Sequence, residues 1–492
     1  MEEIMRVLKA ITLGGLMLIM GIITAFTDIA KYGWYLFKGR KGPTTHGDAD
    51  WATDKELRSA GNFDPRGILM AFTDSGKPVF AHPQRSVMVM AGPGQGKSQT
   101  ALATFRAKKL LAEHQRQHLI IHDPAGELYD VGGPILRELG YSVEKMDMIE
   151  PVNGIRYDVL SYLKPKSPNF DSDLKGLCEL LIPPEPNSRQ PHFVDYARAM
   201  LHDVITLNMV FEGNTRSLAE CVDEILVDAK RTKMVERMKK HPHDFKAIDI
   251  FGKMSANESA SMLSTSLRKL EVWSLNSVRE MSASTPMPNH PRGWNFEHML
   301  EHDKPSALFI RTGLRPGGGE FARIVFGNAI NTVRRQWDAT GQANPRGLQV
   351  FIDEAARLGN CTALMDGHNE LRKAKLTLWL GFLSFAAVKE HYGSEAMTLF
   401  NGCDHIIFPG NKDMETNELY SRMIGDMTIE SGSRSENNYG QSKGLNEQAR
   451  RRIKADELRR APYERAFAIV DSQTLKGKKV FYIDRRKQLR FR

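Results

Sequence analysis

The sequence predicts an α/β fold with a mostly parallel sheet covered on both faces. Three observations predict it. Short apolar runs recur at residues 86–90, 118–122, 142–145, 307–311, 348–352, 376–380 and 405–408. Patterns with helical apolar spacing separate them, as in sheets whose strands are buried on both sides. Two of these runs end in residue types that handle phosphate and metal, which is where ligands gather in open α/β sheets.

The first such run is followed by "AGPGQGKSQT", residues 91–100. A phosphate-binding loop reads G-x-x-x-x-G-K-[ST]. Gly96, Lys97 and Ser98 fit its second half, while Ala91 stands at its first glycine. Gly92, Gly94 and Gly96 let the backbone turn so that N–H groups face an anion. Gln95 and Gln99 flank the phosphate contacts. Lys97 is the expected ligand of the β- and γ-phosphates and Ser98 of Mg²⁺. Residues 99–111 read as a helix whose N-terminus points at the phosphates.

The second run lies in "GLQVFIDEAARLG". Asp353 and Glu354 end its apolar strand. Asp353 is expected to help hold the metal through water, and Glu354 to polarise the attacking water. Alone, this pair reads as a strand leading into a helix cap. Beside Lys97 it reads as the second half of an ATP·Mg²⁺ site.

The chain has 492 residues and a net charge of +9, enough for more than one domain. Its four cysteines, Cys178, Cys221, Cys361 and Cys403, form no C-x-x-C pair. Neither a zinc site nor a disulfide framework is suggested, and a reducing compartment suits the chain. His241-Pro242-His243 lacks further ligands at useful spacing and reads as a solvated turn.

"AITLGGLMLIMGIITAFT", residues 10–27, carries no charge over 18 residues. At about 1.5 Å per residue it spans roughly 27 Å, close to a bilayer core. Tyr32, Trp34, Tyr35 and Phe37 follow as an interfacial belt. Arg6 and Lys9 precede the span; Lys31, Lys38, Arg40 and Lys41 follow it. That bias places the large C-terminal part on the cytoplasmic side of a single-pass anchor.

The domains follow in order. Residues 1–40 read as the membrane anchor, and 41–85 as a juxtamembrane linker and the start of the nucleotide domain. A short helix is expected near residues 54–60. Residues 86–163 form the first part of the nucleotide domain. Residues 164–304 show only helical spacing and read as an inserted all-α domain. Residues 305–492 form the second part with a basic C-terminus. "ESGSRSENNYGQSKG", residues 430–444, reads as a mobile loop.

From about His46 onward, five collinear segments resemble the TraG/TraD-type coupling proteins of type IV secretion and conjugation. They are "HGDADWAT", "HLIIHDPAGELYD", "FIDEAARLG", "HYGSEAMTLFNGCDHIIFPGNKDMETNELYSRMIGDMT" and "RRRIKADELRRAP". The resemblance implies a RecA-like P-loop NTPase with an inserted all-α domain and an N-terminal transmembrane helix. It implies a homo-hexamer at the bacterial inner membrane. Such ATPases bring a relaxase on single-stranded DNA, or effector proteins, to the type IV secretion channel. Matching by position makes Arg85 and Arg372 candidates for an arginine that reaches a neighbouring subunit's transition state. The chain departs from the family at Ala91 and at Ala125, where a lysine is usual. The segment after the 376–380 strand lacks the family's glutamines, with Phe382 and Phe385 in that place, and one membrane span is visible where two are usual.

Positive charge concentrates at the end: residues 441–492 hold 16 Lys/Arg against 6 Asp/Glu. Arg450, Arg451, Arg452 and Lys454 form one cluster; Arg485, Arg486, Lys487, Arg490 and Arg492 form another. Such clusters suit a nucleic-acid backbone or anionic lipid. Two further readings stand beside the coupling ATPase. One is a substrate-receptor platform with a slow or structural ATP site; the other is a chromosome-segregation-type DNA translocase.

Overall fold

The structure is a computed structural model that describes residues 45–184, 191–253, 255–284, 292–437 and 440–481. The expected membrane span and its aromatic belt, and the basic cluster at 485–492, lie outside the described residues. Among the described residues, no helix is long and apolar enough to cross a membrane.

Thirteen strands are described: β1 (Leu69–Phe72), β2 (Pro78–Phe80), β3 (Val87–Met90), β4 (His118–His122), β5 (Ser142–Asp147), β6 (Ser306–Arg311), β7 (Leu348–Ile352), β8 (Leu376–Phe382), β9 (Asp404–Ile407), β10 (Asp426–Asn437), β11 (Gly440–Arg451), β12 (Arg465–Val470) and β13 (Gln473–Lys478). Eleven form one sheet in the order β2-β1-β13-β12-β9-β3-β8-β7-β4-β6-β5. The run from β9 to β5 is parallel throughout. These seven parallel strands are the seven apolar runs of the sequence. β3, β4, β7, β8 and β9 are buried at every position, so their apolar side chains leave water on both faces.

Four antiparallel strands extend the sheet beyond β9. Two of them, β1 and β2, fall in residues 41–85, read as a linker and the start of the nucleotide domain. The other two, β12 and β13, fall in the basic C-terminal part. Burial in β13 alternates over its second half, the sign of one covered face, so no unbroken apolar run marks it. The expected short helix is present at Asp54–Ser59, capped by Thr53 and Glu56 in a reciprocal pair.

Between β5 and β6, all regular elements among the described residues are helical. The helix Leu218–Leu226 begins with a Ser217–Glu220 capping box and buries Leu218, Val222 and Ile225. Its buried Glu224 is neutralised by Arg237 at 2.7 Å and by Arg216.

The described chain divides into two compact units. The smaller holds residues 45–50, 421–437 and 440–453, and its main element is the β10–β11 hairpin. The 430–444 segment, read as a mobile loop, is a correction: its described residues continue this ladder, which runs from Asp426↔Arg451 to Asn437↔Gly440. A sequence poor in apolar residues hides such a ribbon, because the ladder bonds only backbone groups. In the same unit Arg451 pairs with Asp426 and Arg452 with Asp50, each at 2.9 Å. Two members of the first basic cluster are therefore already spent on carboxylates.

Candidate functional site

β3 ends at Met90, and the Ala91 N–H carries the ladder one residue on by donating to the Phe382 carbonyl at 3.1 Å. Ala91 directly follows the strand and is fully buried, with its N–H spent on that ladder. The chain then turns through Gly94 and Gly96. Gly96 has φ of 99°, a left-handed conformation that favours glycine, and is the N-cap of the helix Lys97–Ala107. No side chain caps this helix, so its first N–H groups are open to an anion.

β7 lies two strands from β3, with β8 between. Its end carries Asp353, whose Oδ2 accepts the Ser98 hydroxyl at 2.9 Å across 255 residues of sequence. Gly381 on β8 permits the approach, because a Cβ there would lie 2.3 Å from the Asp353 carbonyl oxygen. The far end of the phosphate-loop helix is tied to the same strand. Lys108 Nζ, fully buried, donates to Gln349 on β7 at 2.7 Å and to Gln117 at 2.9 Å. Burial pulls its pKa down to about 7.

Burial also pushes Asp353 up to about 6; the Ser98 hydrogen bond and Lys97 oppose that rise. Asp353 Oδ1 is buried without a hydrogen-bond partner. Lys97 is lowered by burial, with Asp353 and Glu354 acting the other way. Its Nζ rests on the Ala91 carbonyl at 3.2 Å. Glu354 pairs with Arg357 at 2.8 Å, and Arg357 Nη1 donates to the Gly313 carbonyl at 3.2 Å.

These groups line a cleft of about 1050 Å³ that holds Gly92, Gly94, Gln95, Gly96, Lys97, Ser98, Gln99, Asp353 and Glu354 together. The Ser98 hydroxyl and the orphaned Asp353 oxygen are oxygen ligands that suit Mg²⁺, and the open helix N–H groups suit the phosphate oxygens that would share it. Among the described residues, no group of three or more His, Cys, Asp or Glu gathers as a metal site. The phosphates would therefore supply much of the metal's shell.

The sequence reading missed several cleft residues. Asp123 ends β4, and its carboxylate accepts N–H groups of Gly126 at 3.0 Å and Tyr129 at 2.7 Å. Burial raises its pKa against those bonds. The "HDPAGE" segment signalled it. Ala125 lines the same wall. Tyr463, Glu464 and Phe481 line the cleft from the C-terminal part. Lys479 donates to the Gln95 carbonyl at 3.0 Å. No local pattern announced these four.

Beyond β8, Leu383 is half exposed in the cleft, Ser384 caps the helix Phe385–Tyr392, and Phe385 is buried. No glutamine enters from there; Gln95 and Gln99 are the glutamines of the cleft lining. Arg85 and Arg372 lie before β3 and β8, at the opposite edge of the sheet from the cleft, and neither lines it. Arg85 pairs with buried Asp404 at 3.2 Å and with Asp471 at 2.7 Å.

The family described as "Type IV secretory system Conjugative DNA transfer" matches residues 50–490. A conjugal transfer protein TraG of Rhizobium radiobacter is 21% identical over 355 residues, 68% of this chain and 52% of that protein. A TraG of Agrobacterium fabrum is 29% identical over 160 residues, 30% of this chain and 23% of that one. The chain thus spans about half the length, or less, of these relatives. Among solved structures, the unbound bacterial conjugative coupling protein TrwBdeltaN70 is similar with a TM-score of 0.66 at 18% identity, over 91% of this chain and 98% of that one. The plasmid coupling protein TrwB in complex with ADP and Mg²⁺ has a TM-score of 0.64 at 18% identity, over 92% and 98%. At this identity the likeness establishes the fold.

Proposed function

Because the chain belongs to the type IV secretory system conjugative DNA transfer family, as a TraG/TraD-type coupling protein, we propose that it is an ATPase that drives substrates into a secretion channel. One observation carries the reading: Ser98 and Asp353 meet at 2.9 Å beneath an open helix N-terminus, and the other Asp353 oxygen has no partner. TrwB structures with ADP and Mg²⁺ and with a non-hydrolysable ATP analogue support nucleotide binding at such a fold.

The N–H groups of residues 94–98 and the Lys97 ammonium cradle the β- and γ-phosphates. Ser98 directly, and Asp353 through water, would hold Mg²⁺, which would supply positive charge beside the phosphoryl group being transferred. Glu354 orients and polarises the attacking water once it leaves Arg357. Arg372 and Arg85 serve a neighbouring protomer in a homo-hexamer, with Arg85 first giving up its two carboxylates. Residues 10–27 anchor the chain in the inner membrane with its bulk in the cytoplasm. A relaxase bound to single-stranded DNA, or effector proteins, are the cargo.

The test is ATP hydrolysis by the full chain with and without single-stranded DNA. Hydrolysis that DNA stimulates and that Lys97→Ala abolishes supports the motor. Hydrolysis indifferent to Lys97→Ala contradicts it. A second reading, a substrate receptor with a slow ATP site, is favoured by the Glu354–Arg357 pair and by the missing glutamines. It requires ATP binding with no appreciable turnover in either condition.

A further inference from the structure

The cleft has an end that phosphate chemistry does not use. Tyr463 sits in the turn before β12, and Phe481 follows β13. Their ring centroids are 5.7 Å apart and the planes are tilted by 30°, so the two rings form one angled aromatic surface. Lys479 Nζ stands 3.7 Å from the Tyr463 centroid and 4.7 Å from that of Phe408. The Tyr463 hydroxyl donates to the Gly94 carbonyl at 3.2 Å, and Lys479 donates to that of Gln95. Tyr463 nevertheless remains 47% exposed, within the cleft lining.

We propose that Tyr463 and Phe481 are the platform on which the purine base of the nucleotide stacks. The inference rests on the cleft being a nucleotide site and extends it to the base. An aromatic ring braced by a cation and a hydroxyl anchor is already fixed, so stacking a base on it orders little more of the chain. The anchors end on the backbone carbonyls of Gly94 and Gln95, at the start of the loop segment whose N–H groups face the phosphates. A base on the platform is therefore attached to the same loop as its own phosphates. Stacking reads a ring face and needs no particular base edge.

The experiment titrates the full chain with Mg²⁺·ATP and, separately, with inorganic tripolyphosphate, which has the phosphates without the base. Tyr463→Ala and Phe481→Ala are each expected to weaken ATP by about tenfold and to leave tripolyphosphate within about twofold. Tyr463→Phe keeps the ring and holds ATP within about threefold of the parent. Unchanged ATP affinity in both alanine variants overturns the platform. Equal losses for ATP and tripolyphosphate also overturn it, because the residues would then only support the loop. Lys97→Ala separates the two levels. Loss of both ligands in Lys97→Ala alone, with the aromatic variants silent, leaves the phosphate site standing and removes the platform. Retention of both ligands in Lys97→Ala removes the phosphate site and the platform with it.

Discussion

The two halves of the large sheet do different work on one cleft. The parallel half ends β3, β7 and β4 at one edge, with β8 between the first two, and the residues that follow those ends include Lys97, Ser98, Asp123, Asp353 and Glu354. The antiparallel half brings one carboxylate, Glu464, to the cleft lining. It sends Tyr463, Lys479 and Phe481 against the outer side of the loop. The parallel half supplies charge where phosphates sit, and the antiparallel half supplies stiffness and ring surface.

That division predicts a graded set of outcomes. Changes on the parallel side should be largest. Lys97→Ala should lower nucleotide-dependent activity by about 100-fold or more, and Glu354→Gln should abolish turnover by a similar factor while ATP stays bound. Steady-state hydrolysis beside equilibrium binding separates the two.

Asp353 comes next and links the site to stability. Its pKa is raised from 3.8 to about 6, so its charge opposes folding. That cost is fully present above about pH 6 and vanishes as pH falls toward 3.8. Asp353→Asn should therefore raise the melting temperature of the ligand-free protein at pH 7, with roughly 2–3 kcal/mol at stake. Mg²⁺·ATP affinity of the parent should fall as pH drops through about 6, because the metal needs the carboxylate. A melting temperature lowered by Asp353→Asn would show that the buried charge is compensated after all.

On the antiparallel side the effects should be smaller. Lys479→Met removes the donor to the Gln95 carbonyl and should weaken ATP by about threefold to tenfold. Burial lowers the Lys479 pKa to about 8, so in the parent this brace weakens as pH rises through that value. Titrations at pH 7 and pH 9 check it: the parent should lose affinity over that interval and Lys479→Met should not. The smallest change expected is a gain. Arg357→Ala frees Glu354 from its 2.8 Å pair and should raise basal hydrolysis about twofold to fivefold.

The same division explains what could be read from residues alone. β4 and β7 are buried throughout, so the apolar residues that dominate each made both legible. Gly96-Lys97-Ser98 opens one helix and Asp353-Glu354 follows one strand, so each set is contiguous in sequence. Tyr463, Lys479 and Phe481 act together only through the β12–β13 hairpin, and each alone looks like an ordinary surface residue. "QTLKGK" alternates and carries little apolar mass, so β13 gave no signal. Arg85 was matched by position, yet its two ion pairs depend on Asp404 and Asp471, which lie more than 300 residues away. The hairpin at Asp426–Asn437 and Gly440–Arg451 was hidden for a different reason, since polar sequence and backbone pairing are independent.

The most direct test of a single nucleotide centre is the gain in ATP affinity that Mg²⁺ brings. Titration calorimetry with and without Mg²⁺ would measure it for the parent, Ser98→Ala and Asp353→Asn. The gain should be at least about tenfold in the parent and should disappear in both variants. A gain that survives both substitutions would place the metal elsewhere and contradict the account.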